Sequence, residues 1–330
     1  MNVAGLVASS VALVALSAWV CAALWFQVSG GVRLRQFLMG VWLMFTLVAV
    51  VGLWSGHGRA ALLAFALAYA AVLVWWNTLK PSNARQWADD VAQISRGEVN
   101  GDQVTLHNLR NFQWRSNTDY TQRWETRRYD LSQLQSLDMI TSYWSSRAIA
   151  HLLFSFGFAD GRHVVFSVEI RRERGEAYNE IGGFFKEFEL SIIAADERDI
   201  VAVRTNVRGE DDYLYRLRLP PADIRSLFLA YLEQANRLVT TPRFYNTITV
   251  NCTTLVYRML RHIVGALPLS YRIVLSGYLP EYVYSLGGLD GRYTLTELRE
   301  LGRITERARR AGSSEDFSAA IRAGIPELVG

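Results

Sequence analysis

Three uncharged apolar runs open the chain, Val3 to Phe26, Phe37 to Trp54 and Ala60 to Trp76, each about long enough to cross a bilayer core. Trp25, Trp54, Trp75 and Trp76 stand at their ends, where amphipathic rings favour the membrane interface. No basic stretch precedes the first run and further runs follow it, so it reads as a retained span rather than a cleaved leader. The pattern predicts a three-helix transmembrane anchor over residues 1–80 and a separate domain over residues 81–330.

Beyond Lys80 the periods become short and mixed. Trp87, Val91 and Ile94, with Gly97 behind them, read as a short helix leaving the membrane. Val104 to Trp114 and Trp124 to Leu131 flank a polar turn and predict an antiparallel hairpin. The clearest alternation runs from Ile149 to Arg171. Ala159, Asp160 and Gly161 suit a three-residue loop with glycine in the left-handed position, which pairs Phe158 with Arg162. One face then carries Leu152, Phe154, Phe156, Phe158, Val164, Phe166, Val168 and Ile170; the other carries His151, Leu153, Ser155, Val165, Ser167 and Glu169. A slip of one residue would mix the two sets, so the pattern itself supports the register.

Further short strands are expected from Gly182 to Ile193, Ile200 to Thr205 and Tyr213 to Leu219, with Asp196 to Asp199 as a solvated turn. Pro221 to Leu238 has a helical period. So does the stretch after Cys252, through Leu255, Val256, Met259, Leu260 and Ile263. Ser270 to Gly291 is aromatic and apolar, suited to core packing, with a groove wall or a bilayer-surface segment as alternatives. Thr294 to Arg310 reads as an amphipathic helix and Phe317 to Ile325 as a closing one. The class is α+β with an antiparallel sheet.

The formal charge of +4 arises in the first 80 residues, where Arg33, Arg35, Arg59 and Lys80 meet no acid; the remaining 31 basic and 31 acidic residues cancel. A domain without a net positive field is a poor nucleic-acid binder, and that class is set aside. Arg33, Arg35, Lys80 and Arg85 on the domain's side of the spans against Arg59 on the other favour a cytoplasmic domain by the positive-inside rule. Cys21 lies inside an apolar run and Cys252 outside, so no disulfide framework is expected.

Cys252 is the candidate nucleophile. A helix is expected to begin at or just before it, with Asn251 as N-cap, which puts the thiol at the positive end of a helix dipole where the thiolate is favoured. In the hairpin register His151 stands opposite Glu169, and a carboxylate fixes the tautomer of an imidazole and stabilises its charged form. Both features also have plainer readings: a small buried hydrophobe on a helix face and a half-exposed ion pair on a sheet. His57 falls in a membrane loop, His262 on the polar side of the cysteine helix and His163 at the turn end of the hairpin, while His107 stays open. No zinc-ligand spacing, phosphate-cradling glycine loop or GxSxG elbow occurs, so no metal or cofactor is expected.

The segments RNFQWRS, RRYDL, IAHLLFSF, SVEIRRERGEAY, ADERD, VRTNVR and YNTITVNCTTL resemble the Lnb N-terminal periplasmic domain family, in order, over roughly Ala84 to Ile325. The resemblance implies a circularly permuted papain-like (NlpC-type) domain in which the histidine strands precede the cysteine helix. It maps the family's cysteine onto Cys252 and its histidine onto His151; Glu169 as third member rests on the hairpin register as well. It also implies a periplasmic domain at the bacterial inner membrane, against the arginine count. The family's namesake resembles an acyltransferase that adds the N-terminal acyl chain to lipoproteins, so the expected partners are the membrane, a phospholipid acyl donor and a lipoprotein acceptor. In this chain the spans lie before the domain rather than after it, which leaves the substrate open. Two rivals stand beside acyl transfer: a cysteine amidase or peptidase acting on cell-wall peptides, and a membrane scaffold without catalysis.

Overall fold

The computed structural model describes residues 2–328, which divide into two compact units. The first holds the chain up to Ser82 together with Asn179–Phe188; the second holds Asn83–Tyr178 and the chain from Glu189 onward.

In the first unit, α1 (Val3–Gln27), α2 (Val32–Trp54) and α3 (Gly58–Thr78) are each long and apolar enough to cross a membrane. Leu13, Ala49, Leu53 and Phe65 pack between them, and the hydroxyls of Ser17 and Thr46 bond at 2.7 Å. Many outward side chains, Val11, Leu43 and Leu67 among them, are apolar and exposed, as a lipid-facing surface requires. α2 starts ahead of its apolar run, at Val32, and takes Arg33 and Arg35 with it. The segment expected to begin a strand at Gly182 instead makes a 3-10 turn, Gly182–Phe184. Phe185 stacks on Phe26 with centroids 5.6 Å apart, and the Lys186 ammonium lies 4.5 Å from the Trp76 ring and donates to the Trp76 carbonyl at 2.7 Å. Aromatic contact at the helix ends thus outweighs strand propensity there.

The second unit is α+β. Its strands are β1 (Arg96–Asn100), β2 (Gln103–Arg110), β3 (Gln113–Trp114), β4 (Tyr120–Thr121), β5 (Trp124–Asp130), β6 (Leu134–Tyr143), β7 (His151–Phe158), β8 (His163–Arg171), β9 (Glu189–Ala195) and β10 (Asp211–Arg216). The main sheet runs β1-β2-β9-β8-β7-β6-β10, with β5 on β2. All pairings are antiparallel except β2 with β9, which meet in parallel at Arg110 and Ala195. The β7/β8 hairpin has the expected register: Leu153 faces Ser167, Phe156 faces Val164, and the Phe158 N–H donates to the Arg162 carbonyl. The hairpin of β2 and β5 also forms, bulged between Leu106 and Leu109 around Asn108, whose φ is +57°.

Helices cover both faces of the sheet. On the phenylalanine side lie α5 (Pro221–Thr240) and α6 (Thr254–Val264), and the Phe228 ring sits edge-on to Phe156, Phe158 and Phe166 at centroid distances of 5.2, 6.1 and 5.3 Å. Leu153, Val165 and Ile193 on the other side pack under α4 (Glu197–Ala202), α9 (Thr305–Ala311) and α10 (Phe317–Arg322). α7 (Leu279–Ser285) and α8 (Leu295–Gly302) complete the unit.

Burial accounts for most departures from the sequence pattern. Asp196 to Asp199 is no solvated turn. Asp196 caps α4, Glu197 pairs with Arg322 at 2.6 Å, and fully buried Asp199 takes Arg110 at 2.8 and 3.0 Å. Ile200 to Thr205 is α4 running into a π-helical turn, Val203–Arg208, rather than a strand. Around Trp87, the ring lies 4.4 Å from the Arg171 guanidinium and the backbone bridges Glu173, so a single 3-10 turn, Asp89–Val91, replaces the expected helix. Gly302 runs so close to β10 that a Cβ would lie 2.4 Å from the Leu214 carbonyl oxygen, and the expected helix from Thr294 to Arg310 breaks there into α8 and α9. Strands β1 and β6 escaped the sequence reading, and β6 is the partner of both β7 and β10.

Phe228→Ala is expected to destabilise the full chain by about 3–5 kcal/mol, the usual cost of emptying a large aromatic from a packed core. Equilibrium unfolding in detergent would show a lower denaturant midpoint at unchanged slope; an unaltered midpoint would mean that the aromatic cluster is not the keystone of the fold.

Candidate active site

Cys252 occupies a turn fixed on both sides by asparagine. Asn246 Oδ1 accepts the N–H groups of Ile248 and Thr249 at 3.1 and 2.9 Å, and Asn246 and Val250 exchange backbone bonds at 3.0 Å. Asn251 Oδ1 accepts from the N–H groups of Thr253 and Thr254 at 2.9 and 2.8 Å, while its Nδ2 donates to the Thr247 carbonyl at 2.6 Å. Asn251, expected to cap the helix, instead closes the turn before it, and the regular helix starts at Thr254 with Thr253 as its N-cap, which makes no side-chain capping bond. The Leu255 N–H still reaches back to the Asn251 carbonyl, so Cys252 lies in the first, tightened turn at the positive end of α6.

His151 is the first residue of β7, and the approach to it is pinned. The Ala150 N–H donates to Ser276 Oγ at 3.0 Å, and the Gly277 N–H donates to the Ala148 carbonyl at 3.0 Å. A Cβ on Gly277 would fall 2.0 Å from the Arg147 carbonyl oxygen, so only glycine permits this approach. His151 Nε2 lies 2.7 Å from Ser167 Oγ and 3.1 Å from Glu169 Oε1, and the Ser167 hydroxyl donates to the same Glu169 oxygen at 2.7 Å. With its proton committed to Glu169, Ser167 is left to accept from His151, so Nε2 carries a hydrogen. Cys252 lies 3.8 Å from the Thr253 hydroxyl, with the His151 ring and the Leu152 N–H near enough to act on its charge. The structure thus brings Cys252, His151 and Glu169 together.

The charges follow from these contacts. Burial pushes the Cys252 thiol up, but its bond to His151, the imidazolium charge, the Leu152 N–H and Thr253 together hold it below the ordinary thiol range. Burial and the Arg204 charge push His151 down, yet Glu169 and the sulfur outweigh them and raise it to about 9. Burial likewise opposes ionisation of Glu169, and His151 and Arg204 reverse this, holding its carboxyl well below the usual range. Side-chain exposure of 13% at His151 and 18% at Glu169 makes the pair largely buried rather than half-exposed on a sheet.

Several partners were not anticipated. Arg204, on the π-helical turn, donates to Glu169 Oε1 at 3.2 Å and to Glu210 Oε2 at 3.1 Å. The Ser142 hydroxyl bonds both Glu210 and Asp212, and burial pushes Asp212 up to about 7 against the pull of Ser142 and Arg204. Burial also raises Tyr245 far above its ordinary value, and the charges of Cys252, Tyr178 and Glu169 add to that, which places the phenol beside the site. The available signals were faint: Ser167 shares the alternating face of His151, and Arg204 sits in VRTNVR, whose alternation resembles a strand. Of the other histidines, His107 pairs with Glu98 at 3.2 Å, His163 bonds the Gly161 carbonyl at 3.1 Å, His57 lies 3.5 Å from Ser55 Oγ and His262 is exposed.

An apolar cavity of about 240 Å³ lies nearby, lined by residues that neighbour the cysteine rather than by Cys252 itself. Leu152 and Thr253, which flank Sγ, belong to its wall with Phe154, Val256, Leu260 and Val283. The aromatic stretch after Ser270 contributes part of that wall as well as core, through Leu279, Tyr282 and Leu286.

A thiol at a helix start, an imidazole at a strand start and a carboxylate one strand over, in an α+β unit of a chain with three membrane-capable helices, define a membrane protein with a cysteine–histidine–glutamate site. Residues 120–277 match the family model described as the Lnb N-terminal periplasmic domain. The matched stretch contains His151, Glu169, Arg204 and Cys252. No curated protein and no solved structure matches the chain.

Iodoacetamide reacts with the thiolate, so labelling of Cys252 is expected to rise at lower pH than that of an ordinary thiol. His151→Ala removes the charge and bond that lower the thiol, and the profile should move alkaline, each unit costing about tenfold in thiolate at pH 7. Glu169→Gln should move it the same way by less, since it acts through His151. A rate profile indifferent to His151→Ala would dissolve the pairing.

Proposed function

We propose that the protein is a thiol acyltransferase of the bacterial inner membrane, working through an S-acyl enzyme on Cys252. His151 holds the sulfur as thiolate, and the thiolate attacks the carbonyl carbon of a phospholipid acyl ester. The carbon–sulfur bond forms, the ester carbon–oxygen bond breaks, and the leaving alkoxide takes the proton from the His151 imidazolium. In the second half the N-terminal amine of a lipoprotein's lipidated cysteine attacks the thioester. The carbon–nitrogen bond forms, the thiolate departs, and the amine proton returns to His151. Dividing aminolysis of an ester into two exchanges at sulfur lowers each barrier. Glu169 keeps the imidazole oriented through both halves and stabilises its charged form whenever the proton is on it. Asn251 takes the N–H groups of Thr253 and Thr254, and the intervening N–H of Cys252 serves as a donor to the tetrahedral oxyanion.

One observation carries the reading: Leu152 and Thr253, the neighbours of the sulfur, also line an apolar cavity, where an acyl group suits and a polar cell-wall peptide does not. Cys252 is partly exposed rather than sealed, which favours chemistry over a scaffold. The order of histidine strand before cysteine helix supports a permuted papain-like reading. The family's description favours a periplasmic domain, and long domains cross the membrane with little regard for nearby arginines.

In cells lacking lipoprotein N-acylation, the wild-type gene is expected to restore N-acylated lipoproteins and the Cys252→Ala form to restore none, with a hydroxylamine-labile acyl group recovered on Cys252 by mass spectrometry. Restoration by Cys252→Ala would remove the mechanism; a thioester without N-acylated product would make the enzyme a hydrolase. In spheroplasts a membrane-impermeant maleimide should label Cys252 without lysis, and labelling only after lysis would turn the domain to the cytoplasm.

A further inference from the structure

We infer that the apolar cavity beside Cys252 is a chamber for the hydrocarbon chain of the acyl group, and that its depth at Leu260 sets the chain length transferred; this rests on the acyl-transfer reading of the site. The cavity starts at the sulfur's neighbours. Leu152 and Thr253 both neighbour Sγ and both belong to the cavity lining. A chain esterified to Sγ would enter the apolar space past these two residues.

The wall has little to offer a polar guest. The hydroxyls of Tyr257 and Tyr282 donate to the Leu267 and Pro268 carbonyls, each at 2.7 Å, so polar tips in this wall are already committed. Arg218 is the only charged residue among those lining the cavity, and it is exposed. Two lining residues, Val264 and Leu286, are also exposed to the outside, giving the cavity an apolar rim suited to a ligand delivered from lipid rather than from water. An apolar cavity of roughly 150 Å³ stays dry and accepts benzene; the present one, at about 240 Å³, has room for an aliphatic segment. Helix α6 joins the two functions, with the cysteine turn at its start and Val256 and Leu260 in the chamber wall.

The test uses the detergent-solubilised full chain and the nitrophenol burst released when Cys252 is acylated by p-nitrophenyl acetate or p-nitrophenyl palmitate. Leu260→Trp, on a half-buried position, should lower the palmitate burst rate by about fifteenfold if it displaces two methylenes, each worth roughly fourfold, and leave the acetate rate within about twofold by the same measure. Leu260→Ala should shift preference toward longer chains, and Leu286→Trp at the exposed rim should repeat the selective loss without a core substitution. Equal loss on both esters in Leu260→Trp and Leu286→Trp, or no change in either, overturns the chamber. Binding of a fluorescent fatty acid to Cys252→Ala protein separates the two readings. Binding that Leu260→Trp abolishes, with no burst from any ester in the wild type, would sink the transfer chemistry and keep the chamber. A burst without chain-length selectivity would do the reverse.

Discussion

Glu169 is a largely buried carboxylate claimed by two cations, and the candidate site depends on that division. Its Oε1 receives Ser167, stands 3.1 Å from His151 Nε2 and takes Arg204 at 3.2 Å. A buried charge with one partner removed is strongly unfavourable, and one with good geometry on several sides is tolerated. The shared oxygen also sets a balance: Arg204 repels the imidazolium that Glu169 attracts, and the attraction prevails, leaving His151 protonated up to about 9. From there the effect passes to the sulfur, whose thiol the charged imidazole helps hold below the ordinary range.

Consecutive residues on a strand point to opposite faces, and β7 uses this at its first two positions. His151 turns toward the polar side, where Ser167, Glu169, Arg204, Glu210 and Asp212 form a linked set under a helical cover. Leu152 turns toward the phenylalanine side and into the cavity wall. Cys252 reaches the end of the same strand from the helix that packs on the apolar face, so the thiol sits where charge network and hydrocarbon space meet. A nucleophile that must be ionised and also carry a fatty chain needs both surroundings within one side chain's reach.

The turn that presents the sulfur owes its shape to side chains acting as backbone substitutes. Asn246 closes the loop before Cys252, and Asn251 closes the turn after it. Because Asn251 takes the two N–H groups beyond the cysteine, the thiol lies outside the regular helix while remaining at its positive end. The Leu152 N–H completes the arrangement from the strand side.

The sequence by itself determined the spans, the hairpin and the local setting of the sulfur. Each depends on a short-range period or a neighbouring turn residue: uncharged runs of bilayer length, an alternation that only one register keeps unmixed, and an asparagine just before a helical stripe. His151 facing Glu169 followed from that register alone. Tertiary structure decided what lay across the sheet. Strand β6 carries Asp138, Thr141 and Ser142 into the interior, so no clean alternation betrays it; Asp138 and Ser142 are tolerated there because the opposite face is covered and Arg322, Glu210 and Asp212 meet them. Asp196 to Asp199 looked solvated for the same reason, since charge in a sequence signals water until a distant arginine replaces it. The partnership of Cys252 with His151, separated by a hundred residues of chain, and the cavity near them exist only once α6 has packed on the sheet, because neither contact has a local period to announce it.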